Sequence, residues 1–252
     1  MNNQEEELKL IWFELTDFAD SSVKIKWWER ICNAYNHPLR QYHSLKRIWQ
    51  LFKYYDQCRH LLSNAKAVAF AIFFHNICYD PNSNSNEQES AMVFQEFADE
   101  AHYEDASFFQ HMSLDLSLNA NIVLDMIVHK NLQKADSPLT FKTEDAYYFY
   151  DIELAILGSN SSDYADYKSQ TRQEYSRMSD EAYRTKRLSV SVLKTFLQIP
   201  NIFRTKLFSE EFEQNARKNI CGEVEELSIR TALFILERCF KFRVPDNVMP
   251  AA

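Results

Sequence analysis

The sequence predicts an all-α protein, and three observations carry that prediction. Only two glycines, Gly158 and Gly222, occur in 252 residues. Strand-rich folds draw on glycine for hairpin turns and bulges, whereas helices avoid it. Apolar residues recur at helical spacing along most of the chain, and short clusters of turn formers separate these stretches.

The elements follow in order. EEELKLIWFELTDF and VKIKWWERICNAY each carry an apolar stripe, and Pro38 separates them from a third helix over about 42–62. Ala67 to Phe74 leaves no polar face, which marks a central helix buried on every side. Asp80 to Ser85, DPNSNS, is dense in turn formers, and Asn86 is placed to cap a helix through MVFQEFADEA. Further helices are expected near 105–131, 144–157, 163–176, 180–198 and 209–241, with Gly222 as a break in the last and 243–252 as a frayed tail. The polar cluster at 159–163 reads as an inter-helix turn, and neither a repeat nor a low-complexity linker divides the chain. Residues 1–252 therefore read as a single domain with ample length for a sizeable core.

Composition also removes function classes. Neither a dinucleotide-binding loop nor a P-loop can be written with two isolated glycines. Cys32, Cys58, Cys78, Cys221 and Cys239 are odd in number, widely spaced and never form C-x-x-C, so they read as reduced core thiols. The N-terminus lacks the basic region and continuous apolar core of a signal peptide, and no stretch reaches membrane-spanning length, so a cytoplasmic setting without a membrane is expected. A formal net charge of -8 disfavours general nucleic-acid binding, which needs a basic surface to neutralise phosphate.

Chemistry is expected where the apolar helix ends. His75 and Asn76 close that run and a carboxylate-bearing loop follows; taken alone, such a histidine is more often a core residue bonded to a backbone carbonyl. His43 lies just inside the third predicted helix, and Asp151 and Glu153 lie on the helix near 144–157. The H…HN…D order resembles the HD-domain superfamily, in which a His, a His-Asp pair and a distant Asp gather around a divalent metal. Similarity is greatest to the bacterial predicted metal-dependent HD phosphohydrolases. Arg40, Tyr42, His43 and Leu45 match R-x-Y-H-x-L; Phe74, His75, Tyr79 and Asp80 match F-H-D-x-x-Y-D except at Asn76; Asn86, Glu87, Ser90 and Ala91 match N-E-x-x-S-A. Asp151, Glu153, Leu154, Leu157 and Gly158 follow D-x-D-L-x-x-L-G. The tail boxes Y-x-x-Y, R-x-E-Y and A-R-x-N fall at Tyr164 and Tyr167, at Arg172, Glu174 and Tyr175, and at Ala216, Arg217 and Asn219, so the resemblance spans about 25–228.

The resemblance implies an HD-type helical bundle with a C-terminal helical extension, acting as a phosphohydrolase on a nucleotide or other small phosphate ester. It implies a divalent metal, Mn, Mg, Ni, Fe or Zn being indistinguishable, held by His43, His75, Asn76 and Asp151. Imidazole and carboxylate oxygen together suit such a cation, which activates water for phosphate-ester hydrolysis. Either acid of the D-x-D box is open as ligand, because residues two apart on a helix face different ways; Asp151 is favoured because it remains Asp. Glu87 and Asp80 are candidate catalytic carboxylates, against helix-dipole and turn readings respectively. Arg40, Arg47 and Arg172 are candidate substrate contacts; Arg172 and Glu174 with Arg187 could contact an anionic substrate, against the favoured reading of surface or inter-helix ion pairs. His129 is placed near a T-x-x-H segment of relatives, with a structural role favoured.

Two departures bear on activity. Asn76 can coordinate a cation through its carbonyl but brings no charge and bridges two metals poorly. Arg47 places a permanent cation where a second histidine is expected four residues after His43. The alternative to hydrolysis is therefore a catalytically degenerate HD-fold protein that keeps its pocket for a ligand or protein partner and has lost the metal with Asn76.

Overall fold

The computed structural model describes residues 3–103, 113–128, 144–188 and 193–241. All secondary structure among the described residues is helical. The helices are α1 (Asn3–Leu15), α2 (Ser21–Tyr35), α3 (Leu45–Cys58), α4 (Ala65–Phe74), α5 (Asn86–Tyr103), α6 (Ser113–Val128), α7 (Glu144–Leu154), α8 (Ser161–Glu174), α9 (Asp180–Leu188), α10 (Leu193–Gln198) and α11 (Lys206–Lys241). Short 3-10 turns, Arg59–Leu61 and Ala155–Gly158, extend α3 and α7. His129, the tail at 243–252, and the parts of the expected helices at 105–112 and 189–192 lie outside the described residues.

The apolar run becomes α4, and every residue from Ala67 to Phe74 is buried. Helices α3, α5, α6 and α7 pack around it, which is why no polar stripe is needed. Aromatic rings dominate this core: Trp12 of α1 meets Phe73 edge-on at 5.4 Å and Phe97 of α5 at 5.2 Å, while Trp27 of α2 meets Phe97 at 5.4 Å. Such offset geometries add to the area the rings bury. The indole N–H groups stay satisfied, Trp12 donating to the Lys24 carbonyl and Trp27 to Glu100.

Helix α7 is positioned by three acids that leave it in different directions. Asp145 accepts from the backbone N–H of Ser63 and Asn64 at 2.9 and 2.6 Å, while Asn64 caps α4 by accepting from Ala67 N–H. Asp151 reaches the start of α11, and Glu153 reaches the end of α4. A helix holding acids toward separate neighbours must sit between them.

The expected helix boundaries shift where side chains compete. His43 precedes α3 instead of lying inside it, because Ser44 takes the N-cap position in extended backbone. Asn86 does not cap α5; its side chain closes the preceding turn, accepting from Asp80 N–H and donating to the Asp80 carbonyl at 2.9 and 2.8 Å. Gly222 does not break α11, which runs through it. One exposed glycine costs a helix only about 1 kcal/mol, and nothing lies within 4 Å of where its Cβ would stand.

Gly158 is the glycine the fold requires. A Cβ there would stand 2.5 Å from Phe212 Cβ and 2.6 Å from the Phe212 carbonyl oxygen, so only a bare Cα lets α11 cross the turn at Ala155–Gly158. Asn219 fixes the same crossing by donating to the Leu157 and Ser159 carbonyls at 2.9 Å each. Gly158→Ala is expected to destabilise the protein by about 2–3 kcal/mol through overpacking, whereas Gly222→Ala should be neutral or stabilising; urea denaturation of the two variants checks the contrast.

Candidate functional site

Helix α4 ends beneath a set of groups that take its last carbonyls. Tyr35 donates to the Phe73 carbonyl at 2.9 Å, and the Arg40 fork donates to those of Asn76 and Ile77 at 2.7 and 2.8 Å. Arg40 also lies over the rings of Tyr35 and Tyr79. His75 is the C-cap of α4 and is 1 % exposed. Its Nδ1 lies 2.9 Å from the Ile72 carbonyl; a carbonyl only accepts, so Nδ1 carries the proton. Its Nε2 stands 3.0 Å from Glu153 Oε1.

That same carboxylate meets a second cation. Arg47, 3 % exposed, donates from Nη2 to the Glu153 carbonyl at 2.7 Å, with Nη2 also 4.0 Å from Glu153 Oε1. The guanidinium lies against Tyr42, 5.2 Å from the ring centroid. Nε and Nη1 of Arg47 are buried and find no acceptor among the described residues.

His43 belongs to a different cluster, organised by Glu174 at the end of α8. One Glu174 oxygen accepts the backbone N–H groups of Gln41, Tyr42 and His43 at 3.0, 2.8 and 2.8 Å. The other accepts His43 Nδ1–H at 2.7 Å and the Tyr79 hydroxyl at 3.1 Å. Tyr79 stacks on the His43 imidazole with centroids 3.9 Å apart. Burial alone would raise the Glu174 carboxyl, but the bonds from His43 and the loop outweigh it and hold it below the usual carboxylate range. Burial, then the Glu174 charge, pushes the Tyr79 hydroxyl well up, so it remains a donor. A carboxylate behind an imidazole fixes ring orientation and tautomer, as it does in metal and general-base sites.

The sequence-predicted residues are therefore only partly brought together. Asp151, the favoured ligand, is fully buried and turned away from the histidines: it accepts from Arg204 N–H, Thr205 N–H and the Thr205 hydroxyl, the last two at 2.7 and 2.6 Å. It holds the segment that leads into α11. The acid that meets His75 is Glu153, the alternative member of the D-x-D box. Arg47 points into the interior instead of toward a substrate. Arg172 spends its guanidinium on the Tyr175 and Met178 carbonyls and on Asp180, holding a turn. Asp80 is an exposed turn residue whose carboxylate accepts from Asn82 N–H at 2.8 Å, and Glu87 lies half-buried in the first turn of α5. Arg187 joins Glu223 and Tyr167 in a buried network to which Tyr164 also donates.

Sequence reasoning missed Asp145, and it weighed Glu174 for substrate contact or an ion pair without foreseeing that it orients His43. The signal for Glu174 was present in the R-x-E-Y box, as its only acid; Asp145 offered none beyond its place in a first turn. Among the described residues no group of three or more His, Cys, Asp or Glu side chains is close enough to hold a metal ion. The chemistry of the donor set agrees with that geometry. Asp151 is committed to α11, and the N–H groups of Arg47 that find no acceptor among the described residues call for one beside Glu153, which a divalent cation is not. The residues present do not fit such a metal. No family model, curated protein or solved structure matches the chain.

Proposed function

We propose that this chain is an HD-type helical protein that binds a small anionic ligand, such as a phosphorylated molecule or nucleotide, and does not hydrolyse it through a resident metal. The observation that carries this reading is the Arg47 guanidinium, buried 4.0 Å from the Glu153 carboxylate oxygen that also faces His75. A permanent cation there supplies the neutralising charge that a divalent ion would otherwise bring, and like charges so close in a poorly solvated interior oppose each other strongly. Asn76 acts in the same direction, since it brings no negative charge to the second box.

Elemental analysis and a phosphoester panel test the proposal. Wild type should carry no stoichiometric metal and show no turnover with added Mn, Mg, Ni, Fe or Zn, while Arg47→His with Asn76→Asp should raise metal affinity by about 10 to 100-fold or more. Stoichiometric metal in the wild type, with hydrolysis that His75→Ala abolishes in a folded protein, would overturn it.

One observation favours the hydrolytic alternative. His43 is oriented by Glu174 through Nδ1 in the manner of a metal-bound or proton-accepting imidazole. The same measurements separate the two readings.

A further inference from the structure

Three loops meet at the end of the bundle where α4 finishes, and they enclose a cleft of about 230 Å³. Residues 37–40 form one wall, 79–82 the second and 174–178 the third. Each wall is pinned independently of any ligand. Arg40 ties the first to the end of α4, Asn86 and Lys186 tie the second through Asp80 and the Pro81 carbonyl, and Arg172 ties the third through Tyr175 and Met178. A cleft whose walls are already fixed loses little entropy on binding.

Its lining has a definite chemistry. Tyr79 and Tyr175 supply aromatic surface, and Leu39 stands at the rim 55 % exposed, although most of the protein's large apolar side chains are buried. Arg40 and Arg177 line the same space, and Lys186 lies over the Tyr175 ring, 4.9 Å from its centroid. Of the two acids, Glu174 is enclosed behind Tyr79 with both oxygens engaged, and Asp80 is tied to its own turn. Arg40 and Lys186 are likewise spent on backbone carbonyls, so Arg177 is the lining guanidinium left to meet an anion, in a chain of formal net charge -8. Such a site attracts a planar ring bearing an oxyanion: the ring packs on Leu39 and on the edges of the tyrosines, whose faces His43, Arg40 and Lys186 cover, and the anion meets the guanidinium of Arg177.

We infer that this cleft binds a small aromatic oxyanion, a planar ring carrying one phosphate or carboxylate group. The assignment supplies the location and ligand class for the binding reading above, yet it stands on the cleft alone and holds whether or not the histidine clusters take a metal.

Calorimetry with phenyl phosphate, benzoate, phenol and inorganic phosphate tests it. Phenyl phosphate or benzoate should bind one-to-one and at least tenfold more tightly than phenol or phosphate, and the stronger of the two identifies the preferred oxyanion. Arg177→Glu, an exposed change on the third wall, should weaken that ligand at least tenfold with an unchanged thermal transition. Leu39→Ser should weaken it by a smaller factor without altering the preference between the anions. Failure of every ring-bearing probe to bind at millimolar concentration, or equal affinity in wild type and Arg177→Glu, overturns the inference. Metal content and hydrolysis are separate readouts, so either proposal can fail without the other.

Discussion

Asp151→Ala is expected to cost about 4 kcal/mol of stability, and to cost it equally in the presence of a chelator. The substitution leaves Arg204 N–H, Thr205 N–H and the Thr205 hydroxyl without their shared acceptor at the start of α11. An unsatisfied buried donor costs about 1–3 kcal/mol, and whole domains are stable by only about 5–15 kcal/mol. Urea denaturation of both proteins with and without EDTA checks this. A loss that appears only when metal is supplied would restore Asp151 as a ligand.

The same carboxyl gives a pH signature. Burial raises it from an ordinary 3.8 to about 6, against the opposing hydrogen bonds from Thr205 and Arg204. Because the folded value lies above the unfolded one, the contribution is fully present below about 3.8 and is lost as pH rises through about 6. Over the whole window the shift corresponds to about 3 kcal/mol. Asp151→Asn removes the titration, so the stability gap between wild type and this variant should narrow by about 1 kcal/mol between pH 5 and pH 7. A gap that widens over that range would contradict the assignment.

Much of the helical layout was legible because it rests on local pattern. Ala67 to Phe74 lacks a polar face, and only a central position satisfies that. The segment facing His75 was legible too, since the D-x-D box lies on the correct helix. Which acid faces His75 was not. Asp151 and Glu153 sit about 200° apart around α7, so both choices obey the helix, and packing against α4 and α11 decides. Asp151 kept the expected residue type and took the structural task; Glu153, the departure, meets the histidine. Glu174 was harder still, since it lies 131 residues from the imidazole it fixes. Nothing periodic links such positions. Conversely, Gly222 read as a break only because glycine was weighed alone, while the flanking α11 sequence sustains the helix through it.

Glu174→Ala should be nearly as damaging, at about 3–5 kcal/mol, and its consequences should concentrate on His43. The carboxylate serves five donors: three consecutive backbone N–H groups, His43 Nδ1 and the Tyr79 hydroxyl. Glu174→Gln separates shape from charge. Its amide can still accept from the Gln41–His43 loop, but its NH₂ then confronts His43 and Tyr79, so Nδ1 must become an acceptor and the ring must carry its proton on Nε2. Nitrogen NMR of the His43 ring should show that exchange of tautomers in Glu174→Gln, with most of the fold retained. The pH dependence runs opposite to that of Asp151. Glu174 is held below the ordinary 4.5, so its contribution is present above that value and is lost as pH falls through the lower folded one. The stability gap between wild type and Glu174→Gln should therefore narrow on acidification below about pH 4.5, where the Asp151 contribution is still being gained. Two buried carboxylates with opposite shifts thus predict opposite slopes. An unchanged Nδ1 tautomer in Glu174→Gln, with no acid-dependent gap, would show that Glu174 neither holds the loop by its charge nor orients His43.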